Sequence, residues 1–412
     1  MGLIGKALDD ISAADIVEEV NRPSELDRLD FKSDAYDALG ANELRKLRID
    51  IAALANHAGG WIVCGVSKDT AGKYQVSGIQ VPDAEAHQLR LAQIIGSDDK
   101  IQPKIDGVDV RAFDLAAINL GKVILIFVPK SSNSPHWAIE DTPFGKFYTR
   151  QNAANKPMTY DDIRQGFMET KRGLELSRQF RLERLHEIER SIDARLPIGL
   201  GDNVRLVTHV FPINFDPTKQ IVDISAIVTP LLSFNVNSNL STYPTQYTSD
   251  GAFQVLYQLS PSHVQRGYIQ VFRTGAIECV HLLMKSDPYG KPTNQFNLWE
   301  IEKTLLEDTA RAFNLSLRLL KGPPVVIFPA ITNLDKDTLL YVPQLDRYRG
   351  REYVGQGATR SRLAFDQFVI ETRSFDAKPY FKLAFDTLWN TAGFPGSESY
   401  DSDGKWTNLR YS

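Results

Sequence analysis

The sequence predicts an α+β protein: a mixed-sheet domain, a helical connector and a second α+β domain. Segments whose apolar residues recur at helical spacing alternate with short apolar runs typical of strands. This mixture occurs on both sides of a charged helical segment between residues 169 and 199. At 412 residues the chain is long enough for two hydrophobic cores. We therefore expect one domain over residues 1–168 and another over residues 200–412.

The first predicted strand carries an unexplained charged face. Between residues 26 and 32 the pattern alternates, which puts Leu29 and Phe31 on one face and Asp30 and Lys32 on the other. An acid and a lysine two positions apart on a strand suit a metal-dependent nuclease, because the acid can hold an ion while the lysine offsets charge on the phosphate. The alternative is the solvated face of an edge strand.

An amphipathic helix and a buried strand follow. Apolar residues recur at spacings of three and four between residues 43 and 55, and a cationic rim accompanies them. Gly59 and Gly60 end this helix. The next run, residues 61–66, is continuously apolar, which predicts a strand buried on both faces.

Two further carboxylates flank these elements. Glu25 precedes the first strand, after the break signals Pro23 and Ser24, and Asp69 lies in a loop after the buried strand. Together with Asp30 they could build a divalent metal site, since hard cations prefer oxygen ligands. Asp69 could instead be a turn residue beside Gly72.

The combined pattern is more specific than its parts. It consists of an acid, a second acid five positions later in Asp30-Phe31-Lys32, the string A-L-A-N-x-x-G-G-x-I-x-x-G-V over residues 53–66, and a loop acid. An apolar strand over residues 121–129 and the string G-K-F-Y-T-R over residues 145–150 complete it. Over roughly residues 20 to 168 this pattern resembles the AlbA_2 domain of Schlafen-type proteins.

The resemblance implies a metal-dependent endoribonuclease acting on structured RNA such as tRNA. Carried over by position, Glu25, Asp30 and Asp69 would bind Mg²⁺ or Mn²⁺, and Lys32 would be a further catalytic residue. Asp30 stands where the family usually has Glu. Because two such lobes form a basic groove in the family, one copy per chain implies a homodimer. An antiphage or toxin-like effector would suit this architecture.

Two other functions are compatible with the resemblance. One is a DNA-binding transcriptional regulator that does not cut, although the retained acids disfavour it. The other is an ATP-binding switch, which Val66 disfavours because it stands where a P-loop needs lysine. No H-E-x-x-H, C-x-x-C or G-x-S-x-G motif occurs in the sequence.

Net charge and composition limit the partners and the cellular compartment that the sequence predicts. A net charge of -4 argues against coating nucleic acid non-specifically, but it allows a local basic groove. Arg150 could bind phosphate or could equally pair with a core acid. Cys64 and Cys279 lie in apolar runs and are expected to be buried free thiols of a reducing cytosol. No apolar stretch is long enough to span a membrane, so we expect a cytoplasmic protein without membrane contact. The candidate phosphate-binding residues are Arg45, Lys46, Arg48, Lys68, Lys73, Arg150 and Lys156.

The second half carries strands and helices without a catalytic cluster. The pattern predicts a strand over residues 203–215, a hairpin over 268–281, a helix over 298–320, a strand over 325–328 and a helix over 381–389. Long polar loops, 233–250 and 342–360, suit the recognition of a protein or ligand trigger. Control of the first domain is therefore the expected role.

Overall fold

The structure is a computed structural model, and it divides the chain into two compact units. Unit 1 comprises Met1–Leu174, Leu320–Pro324 and Ile370–Ser374, and unit 2 comprises Glu175–Leu319, Val325–Val369 and Phe375–Ser412. The structure describes residues 3, 11–23, 26–36, 39–97, 99–115, 120–131, 133–139, 145–151, 153–191, 195–225, 227, 240–242, 244–258, 264–285, 293–320, 324–346, 350–372 and 374–407. For residues 170, 240–242, 343–346 and 350–354 it describes the backbone alone.

Unit 1 is built from three helices, part of a fourth, and ten strands within its described residues. The helices are α1 (Ala13–Asn21), α2 (Ala41–Asn56), α3 (Ala84–Ser97) and α4 (Tyr160–Arg190), which continues into unit 2. The strands are β1 (Leu29–Lys32), β2 (Gly60–Cys64), β3 (Val66–Lys68), β4 (Tyr74–Val76), β5 (Ile101–Gln102), β6 (Asp109–Asp114), β7 (Lys122–Val128), β8 (Trp137–Ile139), β9 (Gly145–Gln151) and β10 (Ala154–Pro157).

The strands of unit 1 form two four-stranded sheets and a hairpin. The first sheet has the order β1-β2-β7-β6, with β1 parallel to β2 and the other neighbours antiparallel. The second sheet has the order β10-β9-β8-β5 and is antiparallel. Strands β3 and β4 form the hairpin. The mixed sheet predicted from the sequence is thus confirmed.

Strand β2 is buried on both faces, as its apolar run predicts. Ile62 and Cys64 belong to the core that contains the apolar residues of α2 and α3, whereas Trp61 and Val63 belong to the core that contains those of α1. Gly60, the first residue of β2, is required by a close approach, since a Cβ there would lie 2.1 Å from the Arg28 carbonyl oxygen. Helices on both faces thus explain the run without polar residues.

Unit 2 contains a large antiparallel sheet covered by helices. Its helices are α5 (Leu298–Leu319), α6 (Lys378–Thr391) and the remainder of α4. Its strands are β11 (Val204–Pro212), β12 (Leu240–Thr242), β13 (Gln246–Tyr247), β14 (Gly251–Gln258), β15 (Val264–Phe272), β16 (Ile277–Leu283), β17 (Gln295–Asn297), β18 (Val325–Thr332), β19 (Leu339–Asp346), β20 (Gly350–Gly357), β21 (Arg362–Ala364) and β22 (Phe368–Ile370). The main sheet runs β12-β14-β15-β16-β11-β18-β21, and β17-β19-β20 form a smaller one.

A buried ion pair ties α4 to the main sheet of unit 2. Arg184 donates to both carboxylate oxygens of Glu278 on β16, at 2.9 and 2.8 Å. His209 and Tyr268 also hydrogen-bond this carboxylate, at 2.9 and 2.7 Å. Arg184 outweighs the effect of burial and holds the pKa of Glu278 well below its usual range. The part of α4 after Leu174 is therefore an integral part of unit 2.

Several sequence-based expectations for unit 2 are confirmed and two need correction. The hairpin is formed by β15 and β16, and the long helix is α5. Cys279 is a buried free thiol, as is Cys64 in unit 1. The expected loop over residues 342–360 is wrong, because β19 and β20 pair there as an antiparallel hairpin. In the loop expected over residues 233–250, β12 and β13 pair with β14, while residues 233–239 and 243 lie outside the described residues.

The helix of the connector lies nearer the amino terminus than its expected span of residues 169–199, because α4 covers Tyr160–Arg190. Helix α4 begins at Tyr160, inside the segment assigned to the first domain. Unit 1 ends its first segment at Leu174. Among the residues that the structure describes, no helix is both long enough and apolar enough to cross a membrane.

Candidate functional site

Asp30 and Lys32 point towards helix α2. Strand β1 pairs in parallel with β2 so that Asp30 faces Ile62 and Lys32 faces Cys64, the residues that contact the α2 core. Only 8 % of Asp30 is exposed. The interpretation of this face as a solvated edge is therefore wrong, because its acid is buried.

Lys32 lies between two carboxylates. Its Nζ is 3.1 Å from Oδ2 of Asp30 and 2.9 Å from Oδ2 of Asp50 on α2. Asp50 Oδ2 also accepts a hydrogen bond of 2.8 Å from the Tyr36 hydroxyl, and Oδ1 accepts one of 2.5 Å from Asn155 Nδ2. Lys32 is thereby held in one place by a carboxylate that is itself fixed.

Arg150 on β9 completes a cluster of four charged residues, which are Asp30, Lys32, Asp50 and Arg150. Its guanidinium lies 3.4 Å from Oδ2 of Asp30, and it donates to the Leu29 carbonyl at 2.7 Å and to Asn155 Oδ1 at 3.0 Å. The side chain is buried. Of its two expected roles, pairing with a core acid is the one that this geometry supports.

Burial and the contacts within the cluster shift the pKa values of Asp30 and Lys32. Burial, and next the charge of Asp50, raise the pKa of the Asp30 carboxyl, and Lys32 and Arg150 only partly offset this. Burial alone would lower the pKa of Lys32, but Asp50 and Asp30 outweigh it and raise that pKa. Among the described residues, none gives the buried Asp30 Oδ2 a well-aligned hydrogen bond. Asp30 is thus the least satisfied acid of the cluster.

A cleft of about 320 Å³ opens beside Asp30. Its walls come from β1, from the β3–β4 hairpin and from the segment around Arg150. Ten residues line it: Leu29, Asp30, Phe31, Ser33, Val66, Ser67, Lys68, Tyr74, Arg150 and Ala153. One buried acid therefore meets two cationic residues and two aromatic rings in this space.

Asp69 has a visible structural role. Its Oδ1 accepts hydrogen bonds from the backbone amides of Ala71 and Lys73, at 2.8 and 2.9 Å, which closes the turn between β3 and β4. It does not line the cleft. Glu25, the other expected ligand, lies outside the described residues.

The donor set of the expected metal is therefore only partly present. Asp30 Oδ2 accepts no well-aligned hydrogen bond, although Lys32 and Arg150 lie 3.1 and 3.4 Å from it. The Asp50 carboxylate contacts Lys32, Tyr36 and Asn155. Within the described part of the chain, no three His, Cys, Asp or Glu residues are grouped so as to hold a metal ion. Asp30 could thus supply one ligand to a divalent ion, and no further described residues complete a metal centre with it.

The expected phosphate-binding residues are spread over unit 1. Lys68 lines the cleft, and its Nζ lies 5.0 Å from the centre of the Tyr74 ring. Lys73 is exposed in the same hairpin, and Lys156 is exposed on β10, where it donates to Gln151 at 2.9 Å. On α2, Lys46 is exposed while Arg45 and Arg48 are half-buried. Only Lys68 and Arg150 of the seven line the cleft.

Asp50 was missed by the sequence reasoning, although a signal for it exists. It lies within the apolar stripe of α2 formed by Leu47, Ile51 and Leu54. An acid in a buried stripe needs a partner. That spacing could have identified Asp50 as the partner of a basic residue.

Asn56, at the end of α2, hydrogen-bonds to strand β9 and to the residue before β8. Its Nδ2 donates to the carbonyls of His136 and Tyr148, both at 2.8 Å, and its Oδ1 accepts from the His136 amide at 2.6 Å. Asn56 thereby fixes β9, and with it Arg150, relative to α2.

Comparisons with known proteins place this site in a family. Residues 25–159 match the family model "Schlafen, AlbA_2". Among solved structures, the N-terminal domain of a RecG-related protein from Nitrosomonas europaea covers 36 % of this chain and 94 % of its own, at 20 % identity and a TM-score of 0.26. At these values the similarity carries no argument about function. A comparison with curated proteins gives no match. Residues 25–159, about a third of the chain, are therefore a Schlafen AlbA_2 domain.

Proposed function

We propose that the AlbA_2 domain binds structured RNA, such as tRNA, and cleaves it with Mg²⁺ or Mn²⁺. The observation that carries the proposal is the acid Asp30, buried with an under-satisfied oxygen beside a cleft that also holds Lys68 and Arg150. In a pure binding groove an acid repels the phosphates and weakens binding, unless a cation neutralises it. An acid kept there despite that cost favours a chemical step.

The residues of the cluster take different roles in this proposal. Asp30, with Glu25 and Asp69, is retained as the proposed ligand set. Lys32 supplies positive charge beside Asp30, since Asp50 holds its ammonium at 2.9 Å. Arg150 positions Asp30 through their contact at 3.4 Å and its bond to the Leu29 carbonyl. Lys68 is exposed at the cleft and is the proposed phosphate contact.

The wider organisation belongs to the same proposal. A homodimer would supply two clefts, and unit 2 would restrain the nuclease or bind a protein or ligand trigger. An antiphage or toxin-like effector in the cytoplasm would use such an arrangement. The observation that supports a separate role for unit 2 is that it forms a compact unit of its own and is larger than unit 1.

The test is incubation of the purified full chain with total tRNA. We expect discrete fragments with Mn²⁺ or Mg²⁺ and intact tRNA with EDTA. Size-exclusion chromatography with light scattering should give the mass of a dimer. Equal cleavage in the presence of EDTA would contradict the metal requirement, and intact tRNA under every condition would contradict the nuclease.

A second candidate function is binding of nucleic acid without cleavage. It is favoured by the charge balance of the cluster, in which Lys32 contacts both Asp30 and Asp50, and Arg150 contacts Asp30. Such a closed network can serve folding alone. Salt-dependent binding of DNA or RNA without fragments in the same tRNA assay would favour this function over the nuclease.

A further inference from the structure

The cleft beside Asp30 has an aromatic wall. The rings of Phe31 and Tyr74 lie 4.5 Å apart between centres, inclined by 46°. Tyr74 on β4 pairs directly with Lys68 on β3, and both line the cleft. The turn that Asp69 closes therefore sets an aromatic ring opposite a cation.

This aromatic pair differs from those of the core. Trp61 and Phe127 also contact each other, but both are buried. Phe31 and Tyr74 are only half-buried, and both border the open cleft. A half-exposed ring beside a cation is the combination with which proteins bind single-stranded nucleic acid, since bases stack on rings and phosphates meet cations.

The size and the polarity of the cleft indicate that it can hold one nucleotide. A volume of about 320 Å³ is near the lower end of small-molecule pockets, which span about 300 to 1,000 Å³. The remaining walls offer hydrogen-bonding groups from Ser33, Ser67 and Asp30. A base could use these through its polar edge, which is free only when the base is unpaired.

We propose that the cleft binds an unpaired nucleotide of an RNA strand, with its base stacked on the Phe31–Tyr74 wall and its phosphate beside Lys68. The inference deepens the proposed function and rests on it, because it names the substrate feature that enters the site. Lys68 lies over the Tyr74 ring at 5.0 Å. A lysine–ring contact at an exposed site is weak, so a base can replace it and leave the ammonium beside the phosphate.

The consequence is selectivity for loops, bulges and ends. A fully paired helix cannot place a base on Tyr74 without first unstacking it, which costs energy. A hairpin whose loop offers an unstacked base meets no such cost. The same chemistry would accept a free nucleotide such as AMP, so the experiment must separate the two ligands.

The test uses the full chain and an RNA hairpin with 2-aminopurine in its loop, in EDTA so that binding is measured alone. Stacking on the wall should quench the fluorescence of the base. Tyr74→Leu should weaken binding by about 5- to 140-fold, the range that the loss of one base–aromatic stack produces. Tyr74→Phe keeps the ring and should bind like the wild type. Tyr160→Leu, at a tyrosine that is 79 % exposed on α4, is the matched control and should also bind like the wild type.

Defined outcomes would overturn the inference. They are an unquenched base in the wild-type complex, or equal binding of a fully paired duplex. If Tyr74→Leu disturbs folding, the fluorescence of the wild-type complex and the comparison of the hairpin with the paired duplex still decide. Displacement of the hairpin by an equal concentration of AMP would assign the cleft to free nucleotides instead. Quenching without any cleavage on later addition of Mn²⁺ would contradict the nuclease while supporting this subsite.

Discussion

Asp50 is the residue that makes the charged face of β1 stable. Without it, the ammonium of Lys32 would lie beside a single acid, Asp30. The contacts of Asp50 with Lys32, Tyr36 and Asn155 join three separate elements. Asp50 thus orients the cluster through Lys32 and contacts no cleft surface itself.

Neutralising Asp50 should change the pH dependence of cleavage. Asp50 and Asp30 raise the pKa of Lys32, so Lys32 stabilises the fold below its ordinary pKa, and this contribution is lost as pH rises through the raised value. In Asp50→Asn the Lys32 pKa falls. The alkaline limb of the cleavage profile should therefore move to lower pH, with a loss of about 1 to 3 kcal/mol in unfolding free energy.

The control for this change is Asp109→Asn, at an exposed acid on β6. It should leave both the profile and the unfolding free energy as in the wild type. Asp50→Glu should recover part of the activity, because it restores the charge. An unchanged profile in Asp50→Asn would show that Lys32 does not contribute its charge to cleavage.

At the scale of elements, Asp69 in the β3–β4 hairpin has an observed role, closing the turn, and a proposed role, binding the metal. The Asp69→Asn change separates them, because an amide oxygen can still accept the bonds from Ala71 and Lys73 while the charge is lost. We expect a thermal unfolding midpoint close to the wild type and no tRNA cleavage. Full activity in Asp69→Asn would leave Asp69 as a turn residue only, and the metal would then need another ligand.

Cationic residues in the first turns of α2 allow a test of the electrostatic contribution to RNA binding. Changing Arg45, Lys46 and Arg48 to Ala removes three charges from one helix. RNA binding should weaken, and the slope of log affinity against log salt should flatten by up to about 2 to 3, depending on whether the contacted strand is single or double. The control replaces Lys303, Lys336 and Lys405, three exposed lysines of unit 2. Equal slopes for the two triple variants would exclude α2 from the RNA surface.

Elements set by local periodicity could be predicted, and contacts between distant positions could not. The apolar spacing of α2 and the continuous run of β2 depend on neighbours in sequence, so both were found. The bond from Asn155 to Asp50 joins positions 105 apart, which no local spacing encodes. The loop expected over residues 342–360 overlaps the hairpin of β19 and β20, whose charges and Pro343 are rare in strands.

The whole molecule divides inside a continuous helix. Unit 1 takes the chain up to Leu174, but it also includes Ile370–Ser374. There the Glu371 carbonyl packs so closely on Gly107 that a Cβ would lie 3.0 Å away. The first domain is therefore completed by a short segment that lies far along the chain.

A truncation after Leu174 should consequently fold but melt at a lower temperature than unit 1 in the full chain. It retains the α2–β2 core and the Asp30 cluster, and it loses the segment at Glu371. If unit 2 restrains the nuclease, the truncated protein should cleave tRNA at least as fast. A folded truncation without activity on any RNA that the full chain cleaves would mean that unit 2 builds part of the groove.

The most direct measurement compares the single-turnover cleavage of tRNA by Asp30→Asn with that by Glu85→Gln, an exposed acid on α3. Asn keeps the shape of the side chain and removes only its charge, so we expect Asp30→Asn to fold, and its thermal unfolding midpoint is measured first to check this. Its cleavage rate should nevertheless fall by more than about 100-fold, while Glu85→Gln stays active. A stable Asp30→Asn variant that cleaves tRNA at the wild-type rate would contradict the proposal that this cleft is the active site.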